Sequence, residues 1–298
     1  MRGGMVVHRI RGALTALSPV FHGGSEKTGS VVLLNRLKFI VNGRPVDVPI
    51  VSGNQVRGRL RRLLARDFLD LAGYQMDLSQ RSYQKLYHTI FAGGILTEAE
   101  EESESGTVDL ALKFRIVRYL LPLRLFGCSY ANQMVEGRVL VGHMLPICKE
   151  LAEYTAVPSD ISFHQLIAHT FQTRRDELRA PRRGGQQQEG QGGGRGEEEQ
   201  AVQMMVEYEC FAPGTRFAHE IILETTREGE ELDLSTLYRA VELWQQKPYI
   251  GGKSAVGFGK LRIEYVWPRQ VDSGAYLRFV EGNRDEIVKV LDELREAL

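Results

Sequence analysis

No apolar run in the sequence approaches the roughly 18 residues that a membrane helix requires. Stretches such as Val31–Leu34 are only strand-sized. A signal peptide is not indicated either, because His8, Arg9 and Arg11 fall where its apolar region would lie. Cysteine is scarce: Cys128, Cys148 and Cys210 are scattered and odd in number, which argues against a disulfide framework and against a zinc site. These absences predict a cytoplasmic protein with no membrane partner. Net charge is missing as well, since 38 basic side chains balance 38 acidic ones. An apolar fraction of 43% still suffices for a true core and excludes wholesale disorder. At 298 residues the chain has room for two domains, or for one with large insertions.

The zero balance conceals a segregation of charge. Residues 1–66 hold twelve Lys or Arg against only Glu26 and Asp47, a net of +10. Compensating acid is concentrated in Glu98, Glu100, Glu101, Glu102, Glu104 and Asp109, with no basic residue among them. Such separation suits a polyanion on one face and a solvated loop or partner-facing patch elsewhere.

Periodicity supplies the elements. An alternating, slightly irregular pattern over 5–17 predicts a first strand, and a glycine-rich turn follows at 22–29. Extended segments at 31–41 and 46–51, separated by Asn42-Gly43, predict a β-hairpin. Ser52 opens the strongest helix: its hydroxyl can cap the first turn while Gln55 reaches back. Val56, Leu60, Leu63, Leu64, Phe68 and Leu71 keep helical spacing, and Arg57, Arg59, Arg61, Arg62 and Arg66 cover much of the remaining circumference. A second helix over 79–91 stops at Gly93-Gly94. Segments 108–125 and 138–141 read as extended, whereas a Ser162/Gln165 capping box predicts a helix through Phe163, Leu166, Ile167 and Phe171. From 184 to 196 seven of thirteen residues are glycine, a composition that cannot offset its ordering entropy and predicts a mobile surface loop. Strands at 202–211 and 216–225 are joined by Pro213-Gly214. A helix carries Leu234, Leu237, Val241 and Trp244 as far as Pro248. The loop at 251–259 then feeds a strand at 260–267, and Asn283 caps a tail helix bearing Ile287, Leu291, Leu294 and Leu298.

The resulting order is strand, helix, strand, strand, helix, strand, which is the ferredoxin-like arrangement of an α+β fold. It predicts a palm built from 1–72 and 201–298, with a hairpin insertion at 29–51. Region 73–200 is then an insertion that ends in a Gly/Gln/Glu-rich loop at 183–200. A four-stranded sheet of this type is the platform of RNA-recognition modules, although fold alone assigns no function.

Two turns carry donors suited to phosphate. Ser52, Gly53 and Asn54 stand at a helix N-terminus, where backbone N–H groups and the helix dipole favour an anion. Gly58 costs about 1 kcal/mol relative to Ala inside that helix, which makes sense where a backbone or ligand comes close. In GGKSAVGFG (251–259), Gly251 and Gly252 leave N–H groups unobstructed beside Lys253 and Ser254. A basic helix and a turn can equally be a solvated face. What favours a shared ligand is that the two turns occupy equivalent ends of the two βαβ halves. A Walker A loop is a poor match: counting from Gly252, the glycine at the required spacing is Gly257, and Phe258 follows it instead of Lys-Ser or Lys-Thr.

These residues resemble a known family. The Ser-Gly-Asn start followed by Arg57-Gly58-Arg59-Leu60-Arg61, the segment Leu123-Arg124-Leu125-Phe126-Gly127, the turn Ala212-Pro213-Gly214-Thr215-Arg216-Phe217 and the loop at 251–259 together resemble the RAMP superfamily of CRISPR-associated proteins. Within it the chain is most similar to the backbone subunit, the seventh Cas family, and the opening SPVFHGGSEKTGS (18–30) looks most like the type IV version. The resemblance implies an RNA-recognition-like palm with inserted finger and thumb elements, the thumb falling between residues 108 and 141 or nearby. It also implies partners: guide RNA, a target nucleic acid (DNA or RNA), copies of the chain stacked head to tail in a filament, and other CRISPR-associated subunits. Carried over by motif, Ser52, Asn54, Arg57, Arg59 and Arg61 would contact guide phosphates, and Gly251, Gly252, Lys253 and Ser254 would form a glycine-rich grip. His22, a lone histidine in a glycine-rich loop, reads as a hydrogen-bonding or phosphate-contacting residue, and Lys27 is counted with the RNA-binding residues.

Catalysis is less well supported. Type III relatives cut target RNA with an aspartate in the loop after the first strand, and here the only acid between Gly23 and Leu34 is Glu26. His22 can be imagined as the base of an endoribonuclease, yet no recognisable partner positions it. His164 and His169, five apart, would fall on different faces of a helix and share no metal. The reading is therefore a non-catalytic protein without metal or cofactor, and the alternative is a ribonuclease using Glu26 or His22.

Overall fold

A computed structural model describes residues 4–28, 31–94, 109–131, 133–175 and 203–298. The chain begins with β1 (Met5–Ala16), β2 (Gly23–Thr28), β3 (Val31–Leu34), β4 (Arg36–Val41) and β5 (Arg44–Pro49). Four helices follow: α1 (Gly53–Ala72), α2 (Arg81–Ala92), α3 (Leu110–Tyr119) and α4 (Leu121–Phe126). Next come β6 (Cys128–Tyr130), β7 (Gln133–Val135), β8 (Val139–Val141), β9 (Leu145–Pro146) and the single-turn α5 (Ala152–Thr155). The last part comprises β10 (Ile167–Arg175), β11 (Gln203–Phe211), β12 (Arg216–Thr226), α6 (Glu230–Gln246), β13 (Leu261–Val266), α7 (Gly274–Gly282) and α8 (Arg284–Glu296).

The main sheet runs β13-β1-β12-β8, with every neighbouring pair antiparallel and β9 added beside β12. Numbered by their place in a βαββαβ unit these strands read 4-1-3-2, so the expected ferredoxin-like palm is present. Alternation assigns its faces. Ile10, Leu14, Phe217, Ile221 and Leu223 are fully buried beneath α1 and α6, which contribute Val56, Leu60, Leu64 and Phe68, and Leu234, Leu237, Val241 and Trp244. Each such side chain stabilises the fold by about 1.5–3 kcal/mol. Tyr276 of α7 and Ile287, Leu291 and Leu294 of α8 extend this core. The other palm face is open, with Met5, Val7, Leu140 and Val266 exposed. A second sheet, β10-β11-β3-β2, is built on the nine-residue antiparallel ladder between β10 and β11.

Several elements depart from the periodicity reading. The strand expected in the second palm position, 202–211, pairs instead with β10 and, in parallel, with β3. The vacancy is filled by β8 from within the inserted region, where Arg138, just before the strand, is tied to the buried Asp233 of α6. Residues 110–119 and 121–126 are helical, not extended. Leu110, Leu112, Phe114 and Ile116 satisfy a period of two, but Asp109 caps the first turn by accepting from the Leu112 N–H (2.9 Å), and only Leu112 and Ile116, four apart, are buried. Between residues 108 and 141 the antiparallel hairpin is instead the short β6–β7 pair, with Cys128 opposite Val135 and Tyr130 opposite Gln133. The Ser162/Gln165 capping box does form, yet it closes one 3-10 turn (Phe163–Leu166) before Ile167 enters β10, because strand pairing with β11 outweighs the local signal. Helix α7 was not anticipated. The Asn42-Gly43 hairpin, the Gly93 helix stop and the tail helix match expectation. The acidic run up to Val108 and the glycine-rich tract lie outside the described residues.

Inside the palm, the buried His219 donates from Nε2 to the Gly142 carbonyl (3.0 Å) and accepts at Nδ1 from the Tyr265 hydroxyl (2.7 Å). Gly12 makes this possible, since a Cβ there would lie 2.4 Å from the Tyr265 ring. Burial pushes the His219 pKa down to about 4. The folded value lies below the unfolded one, so the contribution is complete above pH 6.5 and is lost as pH falls toward 4. At 1.36 kcal/mol per unit the expected loss is about 3 kcal/mol. Denaturant melts between pH 7 and 4 should reveal it, and His219→Gln should flatten that part of the profile.

Candidate nucleic-acid interface

Helix α1 begins where its N-terminus meets β8. Ser52 caps it, its Oγ accepting from the Gln55 N–H (3.3 Å), and the Gly53 N–H donates to His143 Nδ1 (3.0 Å). Gly53 is required by close approach: a Cβ would lie 2.3 Å from the Val141 carbonyl oxygen and 2.6 Å from that of Gly142. At Gly58, by contrast, the nearest neighbour of an added Cβ would be the flexible guanidinium of Arg62, at 3.0 Å. The glycine singled out in the sequence is thus not the one the packing needs.

His22 lies beside this cap. Its Nε2 is 3.1 Å from Ser52 Oγ and 3.5 Å from Asn35 Nδ2. Burial lowers its pKa, so the ring is neutral at pH 7. With the serine hydroxyl and the asparagine amide both donating to Nε2, the ring proton falls on Nδ1. Asn35, absent from the sequence reading, also receives a backbone tie, its N–H donating to the His22 carbonyl (2.8 Å).

One residue earlier, Phe21 engages the second turn. Its carbonyl accepts from the Gly252 N–H (2.9 Å), and a Cβ on Gly251, at φ 78°, would lie 2.2 Å from that same oxygen. Gly259 donates to the Pro19 carbonyl (2.7 Å), and Lys260 donates from its backbone to Ser18 Oγ (2.9 Å). The loop at 251–259 is therefore lashed along residues 18–21, with Ser254, Ala255 and Val256 as an exposed tip. Consecutive Cα atoms are about 3.8 Å apart, so Phe21 and His22 bring the α1 cap and the glycine loop to one place. Asn54 is exposed there, and the Lys253 ammonium lies over the Tyr208 ring, 3.5 Å from its centroid. Lys27 belongs to β2, but its side chain is outside the described residues.

The arginines of α1 do not share this role equally. Arg61 is 5% exposed, and its guanidinium donates to the carbonyls of Phe126 and, at 2.8 Å, Gly127. Arg57 donates to the Phe126 carbonyl as well. The two are four residues apart on the helix face that holds the end of α4; Arg61 is enclosed there, contrary to the motif-based expectation, whereas Arg57 is half-buried. Two family-like segments, 52–63 and 123–127, thus grip one another. Arg59 donates to the Lys247 carbonyl (2.8 Å) near the end of α6. Burial, and after it repulsion from Arg62 and Arg66, lowers its pKa; Arg62 and Arg66 themselves are exposed, so 59, 62 and 66 form a basic ridge. Spacing alone could have separated the two faces, because 57 and 61 differ by one turn from each other but not from 59, 62 and 66. Among the described residues, no group of three or more His, Cys, Asp and Glu is placed to hold a metal ion, and no helix is long and apolar enough to cross a membrane.

No protein-family model and no curated protein matches the sequence. Among solved structures, a chain of a "Type IV-B CRISPR Complex" superposes with a TM-score of 0.58, covering 89% of this chain and 96% of that one at 16% identity. The two chains share a fold. At that identity the likeness concerns architecture alone.

Proposed function

We propose that the protein is a subunit of a CRISPR effector complex, specifically a guide-RNA-binding backbone subunit that stacks head to tail along the guide and presents its bases to a target. The observation that carries this reading is the convergence of the α1 cap and the glycine loop on Phe21 and His22. Asn54 and Ser254 are exposed on these two turns, the Lys253 ammonium lies over the Tyr208 ring, and His22 is hydrogen-bonded to Ser52 and Asn35. The fold shared with a chain of a type IV-B complex supports the same assignment, as does the excess of basic residues in 1–66. Binding through phosphates makes affinity insensitive to sequence and steeply dependent on salt. The protein acts as a scaffold and does not cut RNA.

Co-expressed with a guide array, the protein should co-purify with RNA and appear in negative stain as a ladder of identical subunits. RNA-free monomers from that preparation would overturn the reading. Labelled RNA complementary to the guide should remain full length. Shortening that is abolished by Glu26→Ala or His22→Ala would make the protein a ribonuclease instead.

A further inference from the structure

Resting on that interface, we propose that Tyr208 is a positioning residue for RNA binding: its ring, braced by Phe21, holds the Lys253 ammonium at the glycine loop ready for a backbone phosphate. Tyr208 lies in β11, paired with Thr170 and Val32, and so belongs to the second sheet and not to the palm that carries the loop. Lys253 Nζ is 3.5 Å from the centroid of the Tyr208 ring and 5.9 Å from that of Phe21. The two rings meet edge to face with centroids 5.2 Å apart. A cation within about 6 Å of an aromatic face is attracted by the ring quadrupole. Phe21 thereby acts twice, tying the loop backbone through its carbonyl and supporting the ring beneath the loop's lysine.

The backbone points the same way. Lys253 has φ 61°, in the left-handed region, while the other positive-φ positions of this loop, 251, 257 and 259, are all glycine. A side chain is thus retained where glycine would be relaxed, and strain of this kind accumulates where the side chain is used. A lysine stem is flexible, so ordering it beforehand lowers the entropy lost when a phosphate arrives.

Anisotropy titrations of a labelled single-stranded RNA at several salt concentrations test the assignment. Lys253→Ala should weaken binding several-fold and reduce the log–log salt slope by about 0.7, the amount for one phosphate contact on a single strand. Tyr208→Leu should weaken binding about threefold, Tyr208→Phe should restore it, and the double variant should bind no more weakly than Lys253→Ala. Lys253→Gly should lose affinity without melting earlier than the wild type. If Lys253→Ala is impaired and Tyr208→Leu is not, or if their effects multiply in the double variant, this inference falls and the interface reading stands. If Lys253→Ala binds as the wild type does, the loop does not contact RNA and both fail. A spectroscopic check is independent of any variant's folding: the Tyr208 ring current should shift the Lys253 ε-protons upfield, and an unshifted signal overturns the proposal.

Discussion

Arg61→Ala is expected to lower folding stability by about 3 kcal/mol, measured by chemical denaturation, while leaving the RNA affinity of the folded protein unchanged. Hydrogen bonds from a charged donor contribute about 1.5–3 kcal/mol each, and buried carbonyls left without a donor add their desolvation cost. Arg61 supplies such bonds to Phe126 and Gly127, at the end of α4, where helix carbonyls have no partner within the helix. Its guanidinium also lies 5.8 Å from the Phe126 ring centroid. Burial pulls its pKa down to about 10, yet it remains charged at neutral pH. The guanidinium also packs against the end of α2: a Cβ on Gly93, at φ 98°, would lie 2.3 Å from it. Arg61→Lys should recover only part of the loss, because an ammonium cannot reproduce the planar fork. A variant as stable as the wild type but unable to bind RNA would return Arg61 to the interface.

Gly259→Ala is expected to be similarly costly and, unlike Arg61→Ala, to abolish RNA binding. Its φ of 81° disfavours any side chain, and the added Cβ would lie 1.9 Å from the Ile250 carbonyl oxygen, a backbone atom that cannot swing aside. Left-handed strain and overpacking each cost about 1–3 kcal/mol. Relief requires opening the neck of the loop, where the Ile250 N–H donates to the Gly259 carbonyl (2.9 Å), and releasing the Gly259 N–H from Pro19. The loop would then leave Phe21, and with it the α1 cap. Gly257→Ala is the control, since its Cβ would meet nothing within 4 Å and only the positive φ of 91° opposes it. Thermal melts and RNA titrations of the pair check the contrast; equal behaviour of the two variants would refute the role given to the loop neck.

The legible parts of the fold were those set by short-range chemistry. Ser52 caps α1 from its own side chain, Asn42-Gly43 turns a hairpin with both residues at positive φ, and the stripe Leu234, Leu237, Val241 and Trp244 buries as a helical face must. Illegible were the places where two local readings were equally good. The apolar residues from Leu110 to Ile116 fit a strand as well as a helix, and the Asp109 cap together with burial of one face decided between them. The capping box at Ser162 was read correctly as local geometry and wrongly as the start of a long helix.

The candidate site divides along the same line. Composition and motif spacing were enough to find two donor-rich turns and a basic N-terminal segment, because glycine, lysine and a helix cap carry their chemistry wherever they stand. Which arginines face outward, which glycine lets α1 touch β8, and that Asn35, Tyr208 and Phe21 belong beside the turns depended on contacts across many residues of separation. Arg61 and Arg62 are neighbours in the chain, yet one is 5% exposed and the other is open to solvent. That difference comes from α4 packing against one face of α1, and residue type cannot encode it alone.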